Sequence, residues 1–270
     1  MSYYEELTSR TALLLGDDAV KKLSDIKIII FGVGGVGSWC AEALIRSGIC
    51  NLTVVDSDVI CSTNINRQIQ ATSQSIGKIK VYEIASRLKT INPNAQIDAI
   101  NKPFTKDNHG QFNLNDYDYI VDAIDSVSNK IFLIEKALSL NIKIVSSMGA
   151  AAKIDTSKIK IANLSKTTNC SLAKIVRRGL RADKFSTDLV CVYSSELPLK
   201  SKNVDSIETN TDDYRKEIND SGEVALDWSK QKKQINGTVV YITSVFGMML
   251  AGAIINDAVG FITFENILKS

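Results

Sequence analysis

Histidine and proline are almost absent from this 270-residue chain, which has one histidine, His109, and three prolines. A single imidazole excludes a multi-histidine metal cage and all but excludes a histidine general base. His109 lies in the polar stretch Lys106-Asp-Asn-His-Gly110 and reads as a surface residue. Cysteine is sparse too: Cys40, Cys50, Cys61, Cys170 and Cys191 form no C-x-x-C pair. Neither a disulfide framework nor a four-cysteine zinc site is expected. Charge of one sign is also lacking, because 32 Lys and Arg against 30 Asp and Glu leave only +2. The first ten residues hold two acids and no apolar core, unlike a secretion signal, so a reducing cytoplasm is the expected compartment.

The rest of the composition is that of a globular chain. Hydrophobic residues at 44% and charged residues at 23% exclude wholesale disorder, collagen-like repeats and fibrous coiled coils. The length suits one large domain or two tightly packed ones. Residues 234–256 carry no charge and could in principle cross a bilayer. The β-branched run at 238–243 reads instead as a buried strand, followed by a buried helix over 245–259, so no membrane insertion is expected.

Along the chain, strands alternate with helices. An amphipathic helix is expected over 7–23, with Arg10 near its start. Strands follow at Lys27–Phe31, Asn51–Val55, 97–100, 119–123 and 143–146, with helices after Gly37 and over 130–140. This pattern predicts an α/β fold, a Rossmann-like, doubly wound and mostly parallel sheet extended by C-terminal strands. Residues 1–150 read as its nucleotide-binding half and 151–270 as the half that completes the sheet, the two forming one compact unit. Residues 200–234 are polar and charge-mixed, and read as a mobile insertion.

Chemistry gathers around Gly32-Val-Gly34-Gly35-Val-Gly37, which stands between a strand and a helix. Such glycines permit a tight turn and close backbone approach, and the helix N-terminus offers free N–H groups to a phosphate. Asp56 ends the next strand, where an acid can bind ribose hydroxyls. To this point an NAD-dependent dehydrogenase, or a purely structural glycine turn, fits as well. The following segments separate these readings: Asp56-Ser-Asp58, Asn64-Ile-Asn-Arg67-Gln68, Gly77-Lys-Ile-Lys80 and Asp122-Ala-Ile-Asp125-Ser126. Hydride transfer needs no cations around its pyrophosphate. Cleavage of ATP between its α- and β-phosphates does, because negative charge grows on both fragments. Arg67 and Lys80 can supply that positive charge, and Asp125 can hold Mg²⁺.

In order and spacing, these motifs resemble the ThiF/MoeB/HesA adenylating family, relatives of ubiquitin-activating enzymes. The resemblance implies adenylation of a carboxylate by ATP and Mg²⁺ in a homodimer, without zinc here. It places Gly34 against the phosphates, Asp56 on the ribose, Asn64, Arg67 and Lys80 on the phosphates, and Asp125 on the metal. Gly32, Gly35, Gly37, Asp58, Gln68, Asp122 and Ser126 complete the expected nucleotide site. Arg10 matches an arginine that reaches the neighbouring subunit's ATP.

Further segments are similar to one branch of the family, which dehydrates threonylcarbamoyladenosine beside the anticodon of tRNA. They include Arg10–Gly16, the helix from Gly37, the strand around Cys191 and the stretch from Asn236 to Gly247. Family members that activate sulfur carriers usually have paired C-x-x-C motifs, which this chain lacks. Adenylation of a ubiquitin-like sulfur carrier's C-terminal glycine (molybdopterin or thiamine type) stands as the alternative, and cysteine-desulfurase or sulfur-acceptor proteins as possible partners. The dehydration chemistry implied is attack of the threonyl carboxylate on the α-phosphate, then ring closure by the carbamoyl group with loss of AMP. That second step is intramolecular and requires no protein nucleophile.

Two features remain open on residues alone. Cys191, in an apolar strand-like run, is most simply a core residue, although family relatives place a thioester cysteine after the nucleotide half, which makes Cys170 and Cys191 the candidates. Residues 153–184 hold nine basic side chains and two acids, a local charge of +7. Within them Lys174, Arg177, Arg178 and Arg181 share one face of a predicted helix, opposite Leu172, Ile175, Val176 and Leu180. That face suits either plain solvation or contact with the tRNA backbone.

Overall fold

A computed structural model describes residues 2–199 and 237–269. The insertion expected at about 200–234 lies outside the described residues. Seven strands form one sheet: β1 (Lys27–Phe31), β2 (Asn51–Val55), β3 (Gln96–Ile100), β4 (Tyr119–Asp122), β5 (Lys143–Ser147), β6 (Ile159–Asn163) and β7 (Val190–Ser194). Their order is β3-β2-β1-β4-β5-β7-β6, parallel throughout except for β6, which runs antiparallel to β7. β1, Lys-Ile-Ile-Ile-Phe, is apolar almost throughout because helices cover both faces of the sheet. From β1 the chain winds outward to β2 and β3, then returns to β4 on the opposite side. The gap between the C-terminal ends of β1 and β4 is therefore the topological switch point, where open α/β sheets bind ligands.

The helix expected over 7–23 is two helices, α1 (Tyr3–Leu15) and α2 (Asp17–Asp25). Gly16 separates them at φ +89°, a left-handed conformation that an L side chain rarely adopts. α3 (Gly37–Arg46) follows the glycine-rich turn, α4 (Lys80–Ile91) precedes β3, and α5 (Val127–Ser139) joins β4 to β5. α6 (Ser171–Ala182), α7 (Val240–Val259) and α8 (Phe264–Lys269) complete the described helices.

The strand expected at 238–243 is wrong: the helix α7 already begins at Val240. Strand propensity loses to packing here. Ile242, Phe246, Leu250 and Ile254 recur every four residues and are fully buried, making a helical stripe against the sheet. Gly247 lets α7 approach α3 closely, since a Cβ there would stand 2.5 Å from the Val36 carbonyl oxygen. α7 is long and apolar enough to cross a membrane by length and composition, with 56% of its most apolar window buried in the fold.

Candidate nucleotide site

The glycine-rich turn is fixed by what surrounds it. Gly32 adopts φ +88°, and a Cβ on it would meet the Ala123 carbonyl oxygen at 2.6 Å. A Cβ on Gly37 would collide with the Gly32 carbonyl. These two glycines are therefore required by the turn itself. A Cβ on Gly34 would meet only Gln68 Nε2, at 3.8 Å, whereas one on Gly35 would stand 3.2 Å from Cγ and Cδ of the Arg67 stem. α3 begins without a side-chain cap, so the positive end of its dipole points at the switch point. Asp56 spans two segments: one carboxylate oxygen accepts Val33 N–H at 2.9 Å and the other Asp58 N–H at 2.9 Å.

The segment after β2 folds back over this turn. Asn64 is buried and caps the local turn, its Oδ1 accepting Cys61 N–H at 3.1 Å. Arg67 is half-buried, and its guanidinium donates to the Thr63 carbonyl at 2.8 Å and to Asn66 Oδ1 at 2.9 Å. Its own carbonyl accepts Trp39 Nε1–H at 2.9 Å, which ties the segment to α3. Gln68 is buried beside Gly34, with Oε1 lacking a partner among the described residues. Lys80 opens α4, and its ammonium lies 2.7 Å from Asp58 Oδ2. The structure thus brings Gly34, Gly35, Asp56, Asp58, Arg67, Gln68 and Lys80 together around one turn.

The end of β4 divides in function. Asp122, expected in the nucleotide site, has no exposure and its carboxylate is engaged within the fold. Its Oδ2 takes the Lys130 ammonium at 2.6 Å and the Ser146 hydroxyl, while Oδ1 accepts Ile124 N–H at 3.1 Å. Lys130 also donates to the Ser147 carbonyl at 3.0 Å, so this enclosed pair clamps β4, β5 and α5. Lys130 was missing from the residues expected from sequence. A lysine heading the apolar run Ile-Phe-Leu-Ile is the signal that could have found it. Asp125 and Ser126 follow on the turn that Asp122 shapes, and Asp125 is exposed. That carboxylate suits magnesium, which takes one or two carboxylates and fills its shell with phosphate oxygens and water. No cluster of three or more metal-ligating side chains occurs among the described residues.

Other expected residues lie elsewhere. Arg10 is exposed on α1, beside Leu13 and Leu14, which are 80% and 81% exposed. Cys191 is fully buried in β7, and burial pushes its thiol far above the usual range, which makes it a poor nucleophile in this fold. Cys170 precedes α6 and is buried next to Gly149. On α6, Lys174, Arg178 and Arg181 are exposed. Arg177 turns inward, donating to the Leu164 carbonyl at 3.0 Å and to the Thr167 carbonyl and hydroxyl. It is committed to the fold and leaves three basic side chains on the outer face.

Against known proteins, the ThiF family model matches residues 8–268. The chain belongs to the ThiF family. Among its relatives, the tRNA threonylcarbamoyladenosine dehydratase of Bacillus subtilis (strain 168) is 33% identical over 250 residues, covering 92% of this chain and 93% of that protein. A crystal structure of E. coli tRNA N6-threonylcarbamoyladenosine dehydratase in complex with AMP matches with a TM-score of 0.82 and 30% identity over 96% of both chains. The same E. coli protein in complex with ATP matches at 0.81 and 29% identity, again over 96% of each. This ThiF member therefore aligns with those proteins nearly end to end.

Proposed function

We propose that this chain is an ATP-dependent enzyme that dehydrates threonylcarbamoyladenosine next to the anticodon of tRNA by adenylating its carboxylate. The observation that carries this reading is the end-to-end likeness to the B. subtilis relative, over more than nine-tenths of both chains, rather than over the nucleotide half alone. The geometry supports the chemistry. Around the glycine turn stand an uncapped helix start, Arg67 with its stem against Gly35, and Lys80 paired with Asp58, and these would meet the charge that develops on a cleaving α,β-phosphate bond. Asp56, just after β2 and bonded to the turn at Val33, would accept ribose hydroxyls. Magnesium, held by Asp125 and the nucleotide's phosphates, would neutralise pyrophosphate charge. Bringing the carbamoyl group and the activated carbonyl together within one nucleoside lets ring closure proceed without a protein nucleophile, in keeping with the buried Cys191.

The exposed leucines beside Arg10 support a homodimer in which α1 faces a second copy. Five unpaired thiols support a reducing, cytoplasmic setting. The deciding experiment incubates tRNA bearing threonylcarbamoyladenosine with the protein and ATP·Mg²⁺, followed by nucleoside mass analysis. Loss of one water from the modified adenosine, with AMP and pyrophosphate released, is expected. Pyrophosphate exchange stimulated by a ubiquitin-like sulfur carrier and not by modified tRNA would transfer the reading to carrier activation.

A further inference from the structure

Val33, the residue that leads into Gly34 and Gly35, is gripped on both its polar groups. Its N–H goes to Asp56 Oδ2 at 2.9 Å, and its carbonyl accepts Gln70 Nε2–H at 2.8 Å. Val33 has no exposure and Gln70 only 4%, so water does not substitute readily for either bond. Gln70 is itself anchored, because its carbonyl accepts the buried Ser75 hydroxyl at 2.9 Å. Its Oε1 has no partner among the described residues. The amide is thus oriented by the bond to Val33, and exchanging its nitrogen and oxygen would set two oxygens against each other.

This contact joins the two halves of the nucleotide site. Glycine backbone is soft, so the directions of the Gly34 and Gly35 N–H groups depend on how the preceding peptide is held. Gln70 lies two residues beyond Gln68 and three beyond Arg67, in the segment that covers those glycines. Two other side-chain hydrogen bonds among the described residues tie that segment to α3: Trp39 Nε1–H to the Arg67 carbonyl at 2.9 Å, and Ile69 N–H to Ser38 Oγ at 3.4 Å. From that segment, Gln70 is the side chain that grips the turn ahead of Gly34, at the Val33 carbonyl, while Asp56 holds the N–H of the same residue.

We propose that Gln70 is a positioning residue for nucleotide binding, fixing the Val33 carbonyl so that Gly34 and Gly35 face the phosphates with Arg67 in register above them. The proposal rests on the ATP reading above. Replacing Gln70 by methionine keeps length and removes the donor. Expected for Gln70→Met is ATP binding by calorimetry weakened about tenfold, and KM for ATP raised by a similar factor. At saturating ATP kcat stays within about threefold of wild type, and KM for tRNA is unchanged, a split that general loss of stability would not produce. Gln70→Glu supplies a second readout: its protonated acid donates to the Val33 carbonyl and its carboxylate repels it. ATP affinity of that variant should rise as pH falls from about 8 to 6 while wild type stays flat. Should Gln70→Met fail to fold, this pH series alone decides. Wild-type ATP binding matched by Gln70→Met, or a flat pH series for Gln70→Glu, overturns the proposal. No ATP binding by the wild type would instead overturn the nucleotide reading itself.

Discussion

Lys80 is doubly bound to Asp58: its ammonium lies 2.7 Å from the carboxylate, and its backbone N–H donates to the Asp58 carbonyl at 3.0 Å. The lysine side chain is 7% exposed and the aspartate 60%, so the pair is a cation held at the floor of the site by an acid at its rim. A polyanion arriving at that rim competes with Asp58 for the same ammonium. Loss of one preorganised cation at a site of developing charge typically costs about 10²–10³ in rate. Lys80→Ala should therefore lower ATP–pyrophosphate exchange by about a hundredfold. Asp58→Asn should change it by less than about tenfold, because a partly exposed pair contributes only about 0–1 kcal/mol. Wild-type exchange rates in Lys80→Ala would remove lysine from the proposed chemistry.

Stability is expected to depend on a second pair, Lys130 and Asp122, with side-chain exposures of 1% and 0%. Removing one member of a buried ion pair leaves an uncompensated charge and costs about 3–5 kcal/mol. Lys130→Met should accordingly lower Tm by roughly 10 °C, at about 2–4 °C per kcal/mol. The double variant Lys130→Met/Asp122→Leu should recover most of that loss, since no buried charge remains. Calorimetry on the two variants checks the order. A Lys130→Met melt at the wild-type temperature would mean that water reaches Asp122.

The first half of the sheet was largely legible in the sequence because its signals are local. Isoleucine runs make buried strands, and the glycines between β1 and α3 reveal a turn that no other residue type would satisfy. Partners chosen across the fold left no such trace. Nothing in Asp122-Ala-Ile-Asp125 distinguishes the enclosed carboxylate from the exposed one, because the difference is a lysine eight residues onward and a serine on β5. Arg177 belongs to a basic helical face by spacing and to the interior by its contacts with Leu164 and Thr167. The start of α7 misled for the opposite reason. Its β-branched residues favour a strand locally, but the four-residue repeat that fits the groove beside α3 is helical.

Glu135 gives the chain a pH dependence. Burial pushes its carboxyl up to about 7, the Asp183 carboxyl at the end of α6 adds to the rise, and Lys106 and Lys136 oppose it. The folded state thus binds this proton more tightly than the unfolded chain, whose ordinary value is 4.5. Its contribution is fully present below pH about 4.5 and is lost as pH rises through about 7. Discounted for partial exposure, the effect at pH 8 is on the order of 1 kcal/mol. Glu135→Gln, always neutral, should raise Tm by roughly 2–4 °C at pH 8 and leave it nearly unchanged at pH 5. Equal shifts at both values would exclude titration of Glu135 as the cause.

Affinity for tRNA should report how many cations α6 offers. With Arg177 bound to Leu164 and Thr167, the outer face keeps Lys174, Arg178 and Arg181. Each phosphate neutralised releases condensed counterions, so three contacts give a slope of log K against log salt of about −2 to −3. Replacing all three by alanine should flatten the slope by about that amount and weaken binding regardless of sequence, as backbone contacts do. Arg177→Ala should leave the slope alone and lower Tm instead, because it strips a donor from the Leu164 and Thr167 carbonyls. A slope unchanged in the triple variant would place tRNA on another surface and return α6 to a solvated helix face.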